Sequence, residues 1–475
     1  MPHKSIRVPE EAPPRLHDGF ERIRRELKLP EGFPRSVIEE AEWVAEVPTL
    51  PGLDRTDLPL ITVDPPGAMD LDQAMHLEAR PGGYRVWYAV ADVAAFVRPG
   101  GAIDAEARVR GETVYMPDRR VPLHPAVLSE GAASLLPGAT RPAALWCVDL
   151  DTDGRIVGAD VTRAMVRSRE RLDYDYVQAA VETGTADGTL RLLAEIGRLR
   201  LALERERGGV TLPTPEQEVV RDGDGYRLEL RAPMGAEAWN AQISLLTGMA
   251  AAAMMLDAEI GLLRVLPPAP AEKIAQVRRI AAALGVPWPQ GAGYGDVLHA
   301  LDPKIPGQAA FLEESTVLLR GAGYVAFNGE PPLHADHAAV AAPYAHVTAP
   351  LRRLIDRYAT GICLAVAAGE PVPEEIQRVM GELPGVMRVS GRRSGAVERA
   401  CVDLVEAFVL RERVGQTFDA VVIDVDGGRP GGQVQLTDPA VVARCDGDRL
   451  PLGEVVRVRL TRADPASREV RFTLA

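Results

Sequence analysis

The residues with the clearest chemical potential are three aspartates in one short segment, Asp64, Asp70 and Asp72. A strand-like run ends at Asp64 and a Pro-Pro-Gly step turns the chain, after which Asp70 and Asp72, two apart in an extended segment, point the same way. Converging carboxylates repel one another unless a cation lies between them, and hard oxygen ligands select Mg²⁺ or Mn²⁺ over zinc. This cluster suits two-metal hydrolysis of a phosphodiester. Three solvated loop aspartates are the alternative that the motif alone leaves open.

Two other patterns resemble metal sites but favour other interpretations. Residues 149–160 are similar to a calcium loop, yet position twelve is Asp160 instead of glutamate and the flanking runs are strand-like. The Asp153-Gly154 pair therefore predicts a hairpin turn. His334 and His337 offer two imidazoles for zinc, but no third ligand lies nearby in the sequence.

The composition is that of a folded protein of two or three domains, because 475 residues exceed one ordinary core. The net charge of −13 argues against a generic nucleic-acid coat protein, although arginines lining one channel remain compatible with it. No apolar run approaches the roughly 18 residues of a membrane span, and the N-terminus lacks the apolar core of a secretory signal. Four scattered cysteines, without a Cys-x-x-Cys pair, predict a reducing, cytoplasmic location.

The elements that must position the aspartates form three regions. Residues 1–50 carry two helical patterns, 16–27 and 34–47, which suit a helix-turn-helix or a plain helical hairpin. Strand-like runs at 60–63 and 84–90 follow, and then helical stretches at 236–263 and 271–284. The last 60 or so residues return to four or five short β runs, a pattern typical of a small OB-type barrel.

Further motifs follow the aspartate loop in a fixed order. They are YAVADVAAFV (88–97), GGAID (100–104), GETVYMPDRRVP (111–122), LS and SLLP (128–137), VRSRERLDYD (166–175) and APYAHVTAPLRRLIDR (342–357). In types and order, these segments resemble the ribonuclease II / ribonuclease R (RNB) family. The resemblance spans about residues 55 to 410 and implies an α+β protein. In it, a central mixed α/β RNB catalytic domain (55–410) lies between a small helical domain (1–50), replacing the family's cold-shock domains, and a C-terminal OB-fold barrel of the ribosomal S-one type (415–475).

The resemblance also implies roles for individual side chains. Asp64, Asp70 and Asp72 fall on the family's metal-binding and catalytic aspartates, with Asp70 and Asp72 in the catalytic set. Arg352 falls on the arginine that steadies the scissile phosphate, and Arg353 either assists it or forms an ion pair with Asp356. Two tyrosines fall on positions that contact RNA, where a stacked ring would not depend on base sequence. These are Tyr115 and Tyr174.

Two departures from the family pattern bear on the site. Gln73 stands where the family has a fourth aspartate, so it is an uncertain member of the metal shell and should weaken metal affinity. The family places glutamates in a helix that faces the terminal nucleotide, whereas residues 240–256 contain no acidic side chain. Recognition of the sugar or of the RNA end is therefore open.

The function implied by the resemblance is hydrolytic 3′-to-5′ degradation of RNA to nucleoside 5′-monophosphates with Mg²⁺, or Mn²⁺, as cofactor. A catalytically weakened RNA-binding member of the family and a metal-dependent nuclease acting on DNA are the alternatives. The expected partner is the single-stranded 3′ end of RNA, with no membrane, no obligatory protein partner and a monomeric state. A short N-terminal region also predicts processive entry into duplexes that carry a 3′ overhang.

Overall fold

The computed structural model describes residues 6–7, 14–212, 216–222, 225–302, 305–425, 430–436, 439 and 441–475. None of the described helices is long and apolar enough to cross a membrane. The helices are Pro14–Glu26 (α1), Arg35–Glu46 (α2), Ala102–Arg110 (α3), Tyr174–Thr183 (α4), Gly188–Glu206 (α5), Gly235–Asp257 (α6), Ala271–Ala283 (α7), Tyr294–His299 (α8), Pro306–Ser315 (α9), Leu354–Ala367 (α10), Glu374–Met380 (α11) and Leu383–Leu410 (α12).

Most strands belong to two closed barrels, and the others form two- or three-stranded sheets. The strands are Ile6–Arg7 (β1), Leu60–Asp64 (β2), Gln73–Arg80 (β3), Gly83–Ala91 (β4), Val114–Tyr115 (β5), Arg120–Val121 (β6), Thr140–Asp151 (β7), Ile156–Asp173 (β8), Glu216–Asp222 (β9), Gly225–Arg231 (β10), Ile260–Val265 (β11), Gly323–Asn328 (β12), Asp336–His337 (β13), Ala342–Pro343 (β14), Thr417–Val425 (β15), Gly432–Leu436 (β16), Val442–Asp446 (β17), Val455–Asp464 (β18) and Glu469–Leu474 (β19).

The first barrel positions the aspartate loop. Its strand order is β2-β3-β4-β7-β8, and it closes through parallel pairing of β2 with β8, in which Asp64 lies opposite Asp173. The other pairs are antiparallel. Asp64 ends β2 and Gln73 begins β3, so the loop between them connects two neighbouring strands. The predicted hairpin is confirmed, because Gly154 with φ +82° lies in the turn that joins β7 to β8.

The second barrel confirms the OB-type fold predicted for the C-terminus. Its order is β15-β16-β17-β19-β18, with β17 and β19 parallel. Sequence reasoning missed β17, the strand that carries Cys445 into the barrel core. Together with the mixed helices and strands of the rest of the chain, this barrel confirms the α+β class.

The two N-terminal helices bury their apolar faces in different cores. On α1, Leu16, Phe20 and Ile23 pack with α12 and with the second barrel, whereas α2 packs against the core that contains Leu71 of the aspartate loop. Helix α1 also contacts the loop between β5 and β6, because the buried Arg24 donates to Asp118 at 2.9 Å. This packing favours neither a helix-turn-helix nor an isolated hairpin, and the boundary at residue 50 stays a prediction.

Helix α6 is shorter than the predicted helical stretch, 236–263. It ends at Asp257, and after Glu259, whose φ is +54°, the chain forms β11 paired with β12. The apolar run could not distinguish these outcomes, because α6 and β11 each bury a run of apolar side chains.

Helix α6 lies very close to the segment that carries the arginines. A Cβ atom on Gly248 would lie 2.2 Å from Cε2 of Tyr344 and 2.5 Å from the carbonyl oxygen of Ala345. We expect Gly248→Ala to lower the free energy of unfolding by about 1–3 kcal/mol, the usual cost of overpacking. Gly391→Ala in the interior of α12, where a Cβ would meet no atom within 4 Å, is the matched control. It should stabilise the protein by roughly 0.5–1 kcal/mol through helix propensity.

Urea unfolding of both variants provides the measurement. Equal stabilities for the two alanine variants would show that α6 can move away from Tyr344 at no cost.

Candidate active site

The aspartate loop is held in place by a neighbouring turn. The Leu71 amide donates to the hydroxyl of the buried Ser134 at 3.0 Å, and that hydroxyl donates to the Met69 carbonyl at 2.6 Å. Leu71 itself is fully buried. These contacts fix the backbone on either side of Asp70, so the carboxylates are presented by an ordered loop.

Asp72 is buried and contacts the arginine segment directly. The Leu351 amide donates to Asp72 Oδ1 at 2.7 Å, and Arg352 Nε lies 3.3 Å from Oδ2. Only 3 % of Asp72 is exposed. Burial raises the pKa of this carboxyl to about 8, although the charge of Arg352 opposes the shift. The sequence placed Asp72 and Arg352 far apart, and the fold makes them a pair.

Asp64 has a carboxylate oxygen to which no described residue donates a hydrogen bond. Its Oδ2 atom is buried and has no hydrogen-bond partner among the described residues. Burial raises the pKa of Asp64 to about 6, with Arg352 lowering it and Asp70 raising it. A buried carboxylate oxygen without a donor is expensive unless a ligand satisfies it.

Both carboxylate oxygens of Asp70 have partners in the protein, one in an ion pair and one in a hydrogen bond. Arg120 Nη1 lies 2.5 Å from Oδ1, and the Tyr115 hydroxyl donates to Oδ2 at 3.4 Å. A second arm of Arg120, Nη2, reaches Glu130 at 2.7 Å. Sequence reasoning gave no role to Arg120. Its place in the GETVYMPDRRVP motif was the sequence signal that could have indicated such a role. In the structure it lies opposite Tyr115 in the β5–β6 pair.

Gln73 uses its amide to connect β3 to the arginine segment. Its Nε2 donates to the carbonyl oxygen of Thr348. The Thr348 hydroxyl in turn lies 2.8 Å from the hydroxyl of Ser244 on α6. Gln73 therefore connects the first barrel to the loop that precedes Arg352, and Thr348 connects that loop to α6. The place of Gln73 in a metal shell stays a prediction.

One cleft of about 940 Å³ brings most of the predicted site residues together. Tyr115, about half exposed, and Tyr174 both line it, and the Tyr174 hydroxyl accepts a hydrogen bond from Asn240 at 3.2 Å. The predicted residues that line the cleft are Asp64, Asp70, Asp72, Gln73, Tyr115, Tyr174 and Arg352.

Arg353 differs from its neighbour, because it does not line this cleft. Its Nε lies 2.5 Å from Oδ2 of the fully buried Asp356, and its Nη2 donates to Oδ1 at 2.8 Å. Of the two roles left open for Arg353, the ion pair is the one formed in the structure. Its contact with RNA stays a prediction.

Sequence reasoning missed an acidic residue at the start of α6. The stretch considered began at Asn240, but the helix begins at Gly235, and Glu237 in its first turn lines the cleft. Arg231 Nη1 lies 2.9 Å from Glu237 Oε1. The helix therefore does present a carboxylate to the cleft, and only the apolar stretch after it lacks one.

His346, although it lines the cleft, is not a proton donor at neutral pH. The ring is half-buried, and its desolvation holds its pKa well below the usual value. Its Nδ1 lies 2.7 Å from the Tyr324 hydroxyl, and its ring meets Tyr344 edge-on at 5.3 Å. His346 therefore acts as a neutral packing group in the wall of the cleft.

The fold and the site together define a class of proteins in which a closed barrel presents carboxylates to a cleft, a separate segment brings an arginine to them, and an OB-type barrel follows. Residues 53–366 match the family model described as the RNB domain, and residues 416–475 match the RNase II-type exonuclease C-terminal S1 domain. The chain belongs to the RNB family.

Relatives are similar in sequence over most of this chain. Ribonuclease R of Escherichia coli (strain K12) is 27% identical over 505 residues, which cover 95% of this chain and 61% of the relative. Ribonuclease R 1 of Lactococcus lactis is 25% identical, covering 93% and 59%. The chain thus spans about three fifths of the length of these relatives. Mycoplasma genitalium RNase R, solved with ribose methylated single-stranded RNA, has a TM-score of 0.83 at 20% identity, covering 97% of this chain and 78% of that one.

Nucleases of the RNB family are metal-dependent in general. Within the described part of this chain, no three Asp, Glu, His or Cys side chains are grouped closely enough to hold an ion. The pairing of Asp70 with Arg120 agrees with that finding. The unpartnered oxygen of Asp64 and the carboxylate of Asp72 nevertheless fit a hard divalent cation. The residues thus fit an ion at Asp64 and Asp72, without support for a three-carboxylate cluster.

Proposed function

We propose that this chain is a hydrolytic exoribonuclease that shortens RNA from its 3′ end and releases nucleoside 5′-monophosphates. The observation that carries the proposal is the pair formed by Asp72 and Arg352 in one cleft with Asp64. A carboxylate suited to a metal ion and a guanidinium suited to a phosphate are groups that metal-assisted phosphodiester hydrolysis uses. Membership of the RNB family supports the same reaction.

In this mechanism Arg352 donates to the oxygens of the scissile phosphate and stabilises the negative charge that grows on them in the transition state. Asp72 orients Arg352 and, with Asp64, holds the cation. We propose Mg²⁺ as that cation, with Mn²⁺ as a substitute; when bound, it supplies Lewis acidity and a more acidic water. Asp64 and Asp72 remain anionic in that state.

RNA is proposed to enter the cleft as a single strand, 3′ end first. Mycoplasma genitalium RNase R, which has a similar fold, was solved with single-stranded RNA. Tyr115 and Tyr174 offer flat ring faces for bases, a contact that tolerates any sequence. The OB-type barrel adds a second RNA-binding surface. Processive action, entry into overhang-bearing duplexes, a monomeric state and a cytoplasmic location, which the four free cysteines suit, are parts of the same proposal.

The test is a gel of one RNA labelled in turn at its 5′ end and its 3′ end. With Mg²⁺, the 5′ label should pass through a ladder of shortening products, whereas the 3′ label should appear at once as mononucleotide. EDTA should stop both. A 3′ label that remains on long fragments would overturn the direction, and equal cleavage of DNA would overturn the substrate class.

Metal affinity should depend on pH in a predictable direction. Asp64 and Asp72, with pKa values of about 6 and about 8, must lose their protons before they bind a cation. From pH 6 to pH 8, Mn²⁺ affinity should therefore rise by up to about tenfold per pH unit for each proton that the metal displaces. Above pH 8 the affinity should level off. Calorimetric titration of the EDTA-stripped protein measures this rise.

The matched control is Asp72→Asn, in which the rise between pH 7 and pH 8 should disappear. Affinity that is constant from pH 6 to pH 8 in the unaltered chain would show that these carboxylates do not bind the ion.

A further inference from the structure

The contact between Arg120 and Asp70 bears on how many metal ions this chain binds. Arg120 Nη1 lies 2.5 Å from Asp70 Oδ1, and the Tyr115 hydroxyl lies 3.4 Å from Oδ2, so both oxygens of Asp70 have partners in the protein. Asp64, by contrast, has a buried oxygen without a partner among the described residues. Asp72 also has a partner on each oxygen, but its 3.3 Å contact with Arg352 is longer than the 2.5 Å contact between Asp70 and Arg120. The three aspartates are therefore not equivalent ligands.

Arg120 is held firmly enough to keep this position. Its Nη2 arm contacts Glu130 at 2.7 Å, and its backbone is paired with Tyr115 in the β5–β6 ladder. Side-chain exposure of 28 % for Arg120 and 14 % for Asp70 places the pair in the wall of the cleft, where solvent screens it less than at an open surface. A bridging guanidinium with two carboxylate partners is a fixed positive charge.

The charges in the site also favour a single ion. Asp70 and Glu130 share one guanidinium, that of Arg120, which contacts both carboxylates. Gln73 adds no negative charge beside them. A second cation at Asp70 would meet the charge of Arg120 at short range, and like-charge repulsion disfavours it.

We propose that Arg120 occupies the place of a second metal ion: it neutralises Asp70 as an internal cation, so the aspartate loop binds one divalent ion, at Asp64 and Asp72. The proposal rests on the proposed function only in that the site binds metal. It also reassigns Asp70 from metal ligand to the partner of Arg120.

The experiment counts bound Mn²⁺ per chain by electron paramagnetic resonance, without RNA. The unaltered chain should bind one Mn²⁺. Arg120→Gln, which removes the charge but keeps an amide near Asp70, should bind two. The double variant Arg120→Gln/Asp70→Asn should return to one, because the freed carboxylate is gone.

The matched control is Arg119→Gln, which removes the same charge one residue away. Arg119 contacts Glu21 at 3.2 Å. This variant should still bind one Mn²⁺. Retention of the first Mn²⁺ in every variant reports an intact site, so a misfolded protein cannot imitate the expected pattern.

Two ions in the unaltered chain, or one ion in Arg120→Gln with the first site intact, would overturn the proposal. Failure of the proposed function has a different outcome: one Mn²⁺ bound but no shortening of RNA. Two Mn²⁺ bound with normal degradation would leave the function standing and remove only the role of Arg120.

Discussion

Asp72→Asn is expected to abolish hydrolysis while the protein still binds RNA. Asparagine keeps the oxygen that accepts the Leu351 amide at 2.7 Å, so the loop should retain its shape, but it removes the charge that faces Arg352 and the cation. We expect kcat to fall by more than about 10³-fold, the upper range for loss of one preorganised electrostatic contact. RNA affinity should persist, because Arg352 and the tyrosines still line the cleft.

Single-turnover degradation and an RNA-binding titration of the same preparation provide the two measurements. The exposed Asp160→Asn on β8, outside the cleft, is the matched control and should have normal activity. Substantial turnover by Asp72→Asn would remove Asp72 from the catalytic machinery. Loss of RNA binding as well would point to a structural role.

Arg352→Lys should show the second largest effect. Arg352 is about half exposed to the cleft, and its Nε lies 3.3 Å from Asp72 Oδ2, which leaves the outer nitrogens for a phosphate. An ammonium group keeps the charge but cannot form a planar two-nitrogen contact. We expect kcat to fall by roughly 10²-fold or more, the cost of losing such a contact in the transition state, with KM little changed.

Steady-state kinetics on a short RNA separate kcat from KM. Arg119→Lys is the matched control and should leave kcat nearly unchanged. Arg119 also lines the cleft, but it pairs with Glu21 at the surface, where an ion pair contributes little to stability. If the loss in Arg352→Lys lay mainly in KM, Arg352 would bind RNA along its path and would not stabilise the reacting phosphate.

The sequence by itself determined the family, the aspartate loop, the arginine segment and the C-terminal barrel. Each depends on local information: residue types at fixed spacing, turn residues and the alternation of short strands. Closure of the first barrel through parallel pairing of β2 with β8 was not accessible in this way, because those strands are distant in the chain. The C-terminal end of α6 was not predicted correctly either, because a buried apolar run is compatible with both a helix and a strand.

Only the tertiary structure decided which charges meet. Arg352 and Arg353 are adjacent and chemically identical, yet one faces Asp72 in the cleft and the other faces Asp356. Arg353 has extended backbone angles, φ −143° and ψ 120°, and neighbouring side chains of extended backbone point to opposite sides. Likewise, Asp70 appears equivalent to its neighbours until the fold brings Arg120 to it. A sequence specifies which residues carry charge, whereas ion pairs depend on distances that only folding across separate segments creates.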